Sequence, residues 1–422
     1  MRQIQRLQCA IFSILASSPV IATNAENQNA EENWQHLEYR IKALEKKLDT
    51  KNRKVKIDGF VSAAYSRSDD GSVTENLGGI TDKNDFGALS NFGIQMSFFP
   101  NPTTTVTAQF VSRGEEEWRT EAEWAYVSLK ASDQLTFRLG RQKAPLYLLS
   151  EYFEVGYAHP WVHAPDEVYG ITGDSTYDGI NMLYKIPMGS WDTTLQGMWG
   201  NNSFTHAVVG DLSLNDLISL SITARNEYTT VRLGYTTVTG DFPSFLGPLP
   251  AIPNTPITAG DTLNFLAIES DVSYLSAGFI YDNSKWLLMA EYAQLEVEGW
   301  VTDINGAYAM AGYRFGKIMP HFTISKMATQ DQGARKVGTI NSGNAVLIPS
   351  GEIVGAIADS FLVQNQTTYT LGLRYEILPA VSTKIELSQI THFEGSGGHF
   401  RALHPPTDEN VNIVKFSIDS VF

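Results

Sequence analysis

Alternation of apolar and polar residues recurs from residue 54 to the end of the chain, and it constrains the fold more than any other feature. At its start, Val55 and Ile57 lie on one face, whereas Lys56 and Asp58 lie on the other. A period of two residues indicates a β-strand with one apolar face. The pattern predicts sixteen strands, at 54–66, 89–99, 103–114, 119–130, 135–142, 178–186, 191–200, 217–227, 230–239, 272–283, 286–297, 306–315, 318–328, 367–377, 381–393 and 410–421.

The connections between these strands alternate in length. Short turns are expected at 100–102, 131–133, 187–189, 283–284, 316–317 and 379–380, and long loops at 67–88, 143–177, 201–216, 240–271, 329–366 and 394–409. Transmembrane barrels show this alternation, and a soluble β-sandwich does not require it. The fold class is therefore all-β, a transmembrane antiparallel β-barrel of about sixteen strands, preceded by a short N-terminal coiled-coil helix. Segment 261–275 also reads as a further strand or a short helix, so fourteen or eighteen strands stay open.

Each predicted strand has one polar face. On 367–377, Leu371 and Leu373 oppose Thr370 and Arg374. A charge that faces lipid costs about 2–4 kcal/mol at the membrane centre, so the charged faces should point inward. A barrel of about sixteen strands leaves a lumen wide enough for water. The pattern therefore predicts an aqueous pore.

Composition agrees with strands rather than helices in the membrane. Mean hydropathy is -0.16, and the chain lacks several apolar runs of the length that a helical membrane protein would need. Aromatic residues make up 11% of the chain. Many lie near predicted strand ends, among them Trp124, Tyr126 and Trp199, which is typical of the interfacial girdles of membrane barrels.

The predicted loop 143–177 is too long and too apolar to lie in solvent, so we expect it to fold into the barrel and narrow the pore. Its acidic side chains would then face basic ones on the wall and create a transverse field. The predicted constriction and lumen residues are Arg138, Arg141, Lys143, Glu151, Glu154, Asp166, Glu167, Arg232, Arg314, Arg374, Lys384 and Lys415. Alternatively, the basic residues are solvated in the lumen or pair with Glu376, Glu386 and Asp419 on the wall.

Residues 1–25 are predicted to be a signal peptide. Arg2 and Arg6 precede a short apolar core at 7–16, and small residues place the cleavage site after Ala25 or after Ala22. The single cysteine lies inside this segment, so the mature chain would carry no disulfide and no thiol nucleophile.

Residues 26–53 are predicted to be a periplasmic linker and helix. The helix has a coiled-coil seam of Trp34, Leu37, Ile41, Leu44 and Leu48, spaced alternately three and four residues apart. So short a helix is not stable alone, but it could trimerise if the barrel already holds three copies together. The alternative is one amphipathic helix that does not self-associate. The third predicted domain is the barrel at 54–422.

The residues show no catalytic motif. His159 and His163 have helical spacing, but Pro160 between them argues against a metal-binding helix. We therefore expect no enzyme activity, no cofactor and no metal site. The formal net charge of -15, or -17 once Arg2 and Arg6 are removed, argues against nucleic acid as a partner.

Two parts of the chain resemble the Gram-negative porin superfamily. One is Leu139-Gly140-Arg141-Gln142 with the aromatic loop after it, and the other is the terminal strand that ends in Phe422. The resemblance covers about 54–422 and implies an outer-membrane homotrimer with a loop folded into each pore, through which small hydrophilic solutes diffuse passively. Phe422 would be the barrel-assembly signal. The heptads resemble a porin subgroup with a coiled coil before the barrel, which includes anion and dicarboxylate porins.

The expected partners are further copies of the chain, outer-membrane lipid and lipopolysaccharide, the barrel-assembly machinery and small hydrophilic permeants. Two alternatives stay open. One is a substrate-specific channel for an anion, a dicarboxylate or a sugar, with a saturable site in the constriction. The other is a barrel enzyme or adhesin. The mixed lumen charges do not determine whether cations or anions are preferred.

Overall fold

The computed structural model describes residues 54–71, 79–172, 176–206, 210–242, 245–248, 262–264, 268–298, 302–330, 339–342, 345–347, 363–399 and 409–422. The predicted signal peptide at 1–25 and the predicted helix at 26–53, with its seam at 34–48, lie outside these residues.

The strands in these ranges are β1 Val55–Ser68, β2 Asn91–Asn101, β3 Thr104–Arg113, β4 Thr120–Lys130, β5 Leu135–Lys143, β6 Thr176–Met188, β7 Trp191–His206, β8 Gly210–Arg225, β9 Thr229–Phe242, β10 Phe245–Pro248, β11 Thr262–Asn264, β12 Ile268–Asp282, β13 Trp286–Val297, β14 Ile304–Tyr313, β15 Ile318–Thr329, β16 Thr339–Ser342, β17 Ala345–Leu347, β18 Gln366–Leu378, β19 Val381–Thr391 and β20 Val411–Val421. Two 3-10 turns at Gly114–Glu116 and Gly156–Ala158 and a one-turn helix α1 at Asp166–Tyr169 complete the described elements. None of the helices in the described ranges is long and apolar enough to span a membrane.

Sixteen of the described strands close into one antiparallel barrel, in the order β1 to β9, β12 to β15 and β18 to β20. The seam joins the first strand to the last, with Phe60 opposite Val421 and Ser68 opposite Ile413. Backbone hydrogen bonds between Gly59 and Phe422 extend this pairing to the last residue. A sheet that spans a membrane must have no unpaired strand edge in the lipid, and closure of the barrel meets this requirement.

The two faces of the strands separate as predicted. On β18 and β19, Leu371 and Leu387 are 59% and 58% exposed on the outer face, where lipid would cover them. Their neighbours Thr370 and Ser388 are buried on the inner face and hydrogen-bond to each other at 2.9 Å. Alternating residues therefore give an apolar outside and a polar inside.

The sixteen predicted strands correspond to the sixteen barrel strands, but three predicted long loops differ. The loop expected at 201–216 is largely a hairpin, because β7 continues to His206 and β8 begins at Gly210. Segment 261–275 contributes β11 and the start of β12, so the alternatives of fourteen and eighteen barrel strands are wrong. The loops expected at 240–271 and 329–366 contain β10, β11, β16 and β17, which form a separate four-stranded sheet.

Candidate pore constriction

The connection between β5 and β6, described over residues 144–172 and here named the inner loop, lies inside the barrel as predicted. Its apolar side chains Leu149, Trp161 and Val168 are almost fully buried. They belong to an apolar cluster that includes Met289 and Tyr308 on the lumen side of the wall. The sequence pattern did not predict that part of the lumen wall would be apolar. The inner loop covers this apolar wall, which explains why it can carry so many apolar residues.

One buried carboxylate holds both ends of the inner loop against β13. Glu291 Oε1 accepts a hydrogen bond of 2.7 Å from the backbone N–H of Leu148. Its Oε2 accepts one of 2.6 Å from the hydroxyl of Tyr169. Glu291 therefore joins the start and the end of the inner loop to the same point on the wall.

The middle of the inner loop is held by charged residues of β19, four strands away from β13 in the barrel. Lys384 Nζ donates hydrogen bonds to the backbone carbonyls of Gly156, at 2.6 Å, and Trp161, at 2.5 Å. Glu386 Oε1 accepts one of 3.0 Å from the backbone N–H of Val162. These wall residues bind backbone atoms of the loop, so these three hydrogen bonds do not depend on which side chains the loop carries there.

Close approach at this point requires a glycine. A Cβ atom at Gly156 would lie 2.4 Å from Asp419 Oδ1 and 2.5 Å from Ser62 Oγ, well inside van der Waals contact. Both atoms belong to the barrel wall. The loop therefore meets β1 and β20 with its backbone alone.

The helix α1 contributes a further anchor through Glu167, which is buried. Its carboxylate accepts hydrogen bonds of 2.7 Å from Ser325 Oγ and from Gln366 Nε2, and another from Thr368. All three donors are neutral. Glu167 thus fastens the loop to β15 and β18, and it is not one of the exposed acids of a transverse field.

Several predicted basic residues lie at the loop but bind carbonyls or wall carboxylates. Arg232 donates to the carbonyl of Pro145 and, at 2.9 Å, to Thr223. Arg374 donates to the carbonyl of His159 at 2.9 Å. On the wall, Arg374 pairs with Glu376 at 2.7 Å, Lys384 with Asp419 at 3.1 Å and Lys415 with Glu386 at 3.2 Å. Arg374, Lys384 and Lys415 therefore pair with the wall carboxylates named in the alternative, whereas Arg232 has no carboxylate among its described hydrogen-bond partners.

A second charged group joins the inner loop to β3, β4 and β5. Arg113 Nη2 pairs with Glu154 of the loop at 2.6 Å and also with Glu123. Lys143 Nζ pairs with Glu123 at 2.5 Å. Sequence reasoning identified Lys143 and Glu154 but missed the other two. Arg113 continues the inward face of Thr107 and Gln109, so the alternation of β3 could have identified it. Glu123 lies where a register shift between β3 and β4 displaces the pairing.

An acidic residue of the inner loop, Glu151, directly faces a basic residue of the wall, Arg138. Arg138 Nη1 lies 3.2 Å from Glu151 Oε1, and this ion pair crosses from β5 to the inner loop. Both side chains are partly exposed. Asp166, the fourth predicted loop acid, lies 3.3 Å from His163 within the loop. Among the described residues, the ion pairs that join a loop carboxylate to a wall cation are thus those of Arg138 with Glu151 and of Arg113 with Glu154.

Two of the residues predicted to line the constriction, Arg141 and Arg314, lie away from the inner loop. Arg141 is on the outer face of β5, two residues from the exposed Leu139, and pairs with Asp178 at 2.7 Å. The alternation of Phe137, Leu139 and Arg141 on β5 places Arg141 on this outer face. Arg314 follows β14 at a short turn and pairs with Asp282 at 2.6 Å. Neither residue contacts the inner loop among the described contacts.

The surroundings shift the pKa values of several ionisable groups of the inner loop, among them His159 and Asp166. Burial lowers the pKa of His159 well below its usual value, and the nearby positive charge of Lys384 adds to this effect. Burial raises the pKa of Asp166, which the neighbouring His163 opposes. His159 is therefore neutral in the docked loop. Among the described residues, no group of three or more His, Cys, Asp or Glu is arranged to hold a metal ion.

The family described as Gram-negative porin matches residues 15–399 of the chain. Among solved structures, the trimer form of in-vitro folded OmpT from Vibrio cholerae is 14% identical, covers 87% of this chain and 99% of its own, and superposes with a TM-score of 0.50. The anion-selective porin from Comamonas acidovorans is 13% identical, with 87% and 99% coverage and a TM-score of 0.51. The outer membrane channel DcaP of Acinetobacter baumannii is 10% identical, with 87% and 97% coverage and a TM-score of 0.52.

No match is found among curated protein sequences. The solved structures share the barrel fold, and the family match covers most of the chain. Family and fold together point to a channel rather than an enzyme. The chain therefore belongs to the Gram-negative porin family and forms an outer-membrane channel for diffusion.

Proposed function

We propose that the channel passes small hydrophilic solutes and ions passively, and that the inner loop forms its constriction. The observation that carries the proposal is the position of this loop, which is docked inside the closed barrel through Glu291, Lys384 and Glu386. A docked loop narrows the lumen without a plug domain, and the polar inner face keeps the passage wet. Passive diffusion needs no further moving part.

Planar-bilayer recording tests this proposal. Purified protein should insert with stepwise increases in conductance, and current should rise linearly with salt concentration. Reversal potential under a salt gradient then gives the sign of charge selectivity. Protein that is folded, as judged by heat-modifiable migration on gels, yet conducts at no voltage would refute the proposal.

We further propose a homotrimer with its N-terminal segment in the periplasm. The trimer form of Vibrio cholerae OmpT supports the trimer. The expected sequence of events is removal of residues 1–25, assembly through Phe422 by the barrel-assembly machinery, and contact of the finished barrel with lipid and lipopolysaccharide. Phe422 is 64% exposed at the barrel seam, so it is accessible for recognition.

The coiled-coil role of residues 26–53 has a separate test. Deleting residues 26–50 should leave a barrel trimer that dissociates at a lower temperature on semi-native gels, because the seam at 34–48 would add contacts between copies. Unchanged dissociation would assign the segment another role. Conductance steps in groups of three, before and after deletion, report whether the barrel itself holds the trimer.

The alternative of a substrate-specific channel gains support from Arg138, whose partner on the inner loop is a partly exposed carboxylate. A saturable site would appear as concentration-dependent block of the salt current by one solute class. The enzyme or adhesin alternative has no comparable observation among the described residues. Lipid hydrolysis by the purified protein, lost on substitution of a single serine, would support it.

A further inference from the structure

The lumen face of β4 and β5 carries two aromatic side chains next to a cation. Val127 and Leu139 pair across these strands and are exposed on the outer face. Tyr126 and Arg138, one residue away from them, therefore face the lumen, and Trp124 follows Tyr126 on the same face. The sequence pattern suggested an interfacial girdle for a set of aromatic residues that includes Trp124 and Tyr126, any one of which could instead lie in the lumen. The register places these two inside.

The three side chains form a continuous surface. The guanidinium carbon of Arg138 lies 5.3 Å from the centre of the Tyr126 ring. The ring of Trp124 lies 6.1 Å from that of Tyr126, tilted by 52°. Tyr126 is opposite Gly140, which has no side chain, so the diagonal neighbour Arg138 can extend over the ring. Both rings are half-buried and keep part of their surface open to the lumen.

Arg138 keeps most of its hydrogen-bonding capacity. Among the described contacts its one carboxylate partner is Glu151, which reaches Nη1 with a single oxygen at 3.2 Å. A guanidinium has five N–H donors and binds a carboxylate best through two parallel hydrogen bonds. The Glu151 side chain is 56% exposed, and exposed ion pairs are weak. A solute carboxylate can therefore displace Glu151.

Four other cations of the lumen are already committed to the inner loop or to wall carboxylates. Lys384 is fully buried, and Arg113, Arg374 and Lys415 are 12% to 13% exposed. Arg138 is 26% exposed. Removing any of the first four from its partners would leave a buried charge unpaired, whereas Arg138 exchanges one exposed carboxylate for another.

We propose that Arg138, Tyr126 and Trp124 form a binding station for aromatic carboxylates on their way through the constriction. The guanidinium takes the carboxylate in place of Glu151, and the planar ring of the solute packs on the two aromatic side chains. This inference rests on the proposed channel function and names the class of solute that its constriction favours. Carboxylate and ring are recognised by different residues, so each contribution is separately testable.

The test uses benzoate as the probe and measures block of the potassium chloride current through single channels. Benzoate should reduce the current in a saturable way. Cyclohexanecarboxylate has the same charge and similar size but no aromatic ring, and its apparent affinity should be about threefold to tenfold lower, as expected for one or two aromatic contacts. Phenol, which lacks the carboxylate, and glucose should give no saturable block in the same range.

Three variants separate the contributions. Arg138→Gln should abolish saturable block by both carboxylates, because the guanidinium is gone. Tyr126→Leu with Trp124→Leu should lower the affinity for benzoate to that for cyclohexanecarboxylate and leave the latter unchanged. Arg141→Gln is the matched control, since it removes the same charge three residues away on the outer face, and it should keep wild-type block.

The outcomes are distinguishable. Equal affinities for benzoate and cyclohexanecarboxylate in the wild-type channel would overturn the aromatic part of the proposal. Wild-type block in Arg138→Gln, or equal block by glucose, would overturn the whole station. A normal salt current without any benzoate effect refutes this inference alone, whereas absence of salt current refutes the proposed channel function as well. Gel mobility of each variant confirms that the barrel has folded.

Discussion

Substitution of Lys384 by methionine should release the middle of the inner loop from the wall. The lysine side chain is fully buried, donates to the carbonyls of Gly156 and Trp161, and lies 3.1 Å from Asp419. Methionine fills a similar volume but leaves Asp419 as an uncompensated buried charge. Breaking a buried ion pair in this way costs about 3–5 kcal/mol. Docking of the loop segment would therefore weaken by roughly two to nearly four orders of magnitude.

The loop keeps its anchors at Glu291 and Glu167, so the barrel should still form while the segment 156–162 moves. Single-channel recording should then show higher conductance and larger open-channel noise than in the wild type. Lys326→Met is the control, because Lys326 is exposed on the outer face of β15 and its loss should change neither quantity.

A second variant separates lost charge balance from lost hydrogen bonds. In the double variant Lys384→Met with Asp419→Asn, this pair leaves no unpaired buried charge, so the loop should dock more tightly than in the single variant. Open-channel noise should then fall part of the way back to its wild-type level. Wild-type conductance and noise in the folded single variant would refute the assignment of Lys384 as an anchor. Noise in the double variant at or above that of the single variant would refute the electrostatic explanation.

The remaining predictions concern the same loop and the lipid face. Gly156→Ala should also increase open-channel noise, since its Cβ would overlap Asp419 and Ser62. Burial lowers the pKa of His159, so the docked loop holds this ring neutral. Docking should be strongest above the ordinary pKa of about 6.5, and open-channel noise should rise as pH falls below it because the loop docks less tightly. The His159→Gln channel should show no such rise in noise at low pH. Leu371→Arg, near the middle of β18 on the lipid face, should cost about 2–4 kcal/mol in folding into liposomes measured by urea titration, and a loss below about 0.5 kcal/mol would contradict the assigned face.

The strands and the position of the inner loop were predictable from the sequence because both depend on local pattern. Alternation over ten or more residues assigns a face, and an apolar loop of this length must bury its side chains. The hairpin between β7 and β8 was missed because Asn201 to Ser203 are polar and read as a loop, although backbone pairing continues through them.

The contacts within the constriction were not predictable in the same way. Which cation meets which carboxylate depends on strand register and on local irregularities, and a register shift moves side chains without changing the pattern. Arg141 was expected in the constriction because it leads into the aromatic loop, but it lies two residues after the exposed Leu139 on the outer face. Glu123 was missed because a register shift separates Gln109 and Phe110 on the neighbouring strand.

Side chains of the barrel wall hold much of the inner loop through the loop's own backbone atoms, so the loop's sequence can diverge within the family without moving it. Carbonyls of Pro145, Leu146 and His159 and the N–H of Leu148 are present in almost any sequence, so substitutions on the pore side of the loop need not disturb its placement. Pore chemistry can therefore change by single substitutions at exposed positions such as Glu151 while the aperture stays where it is. Gly156 and the wall residues that bind it lack this freedom.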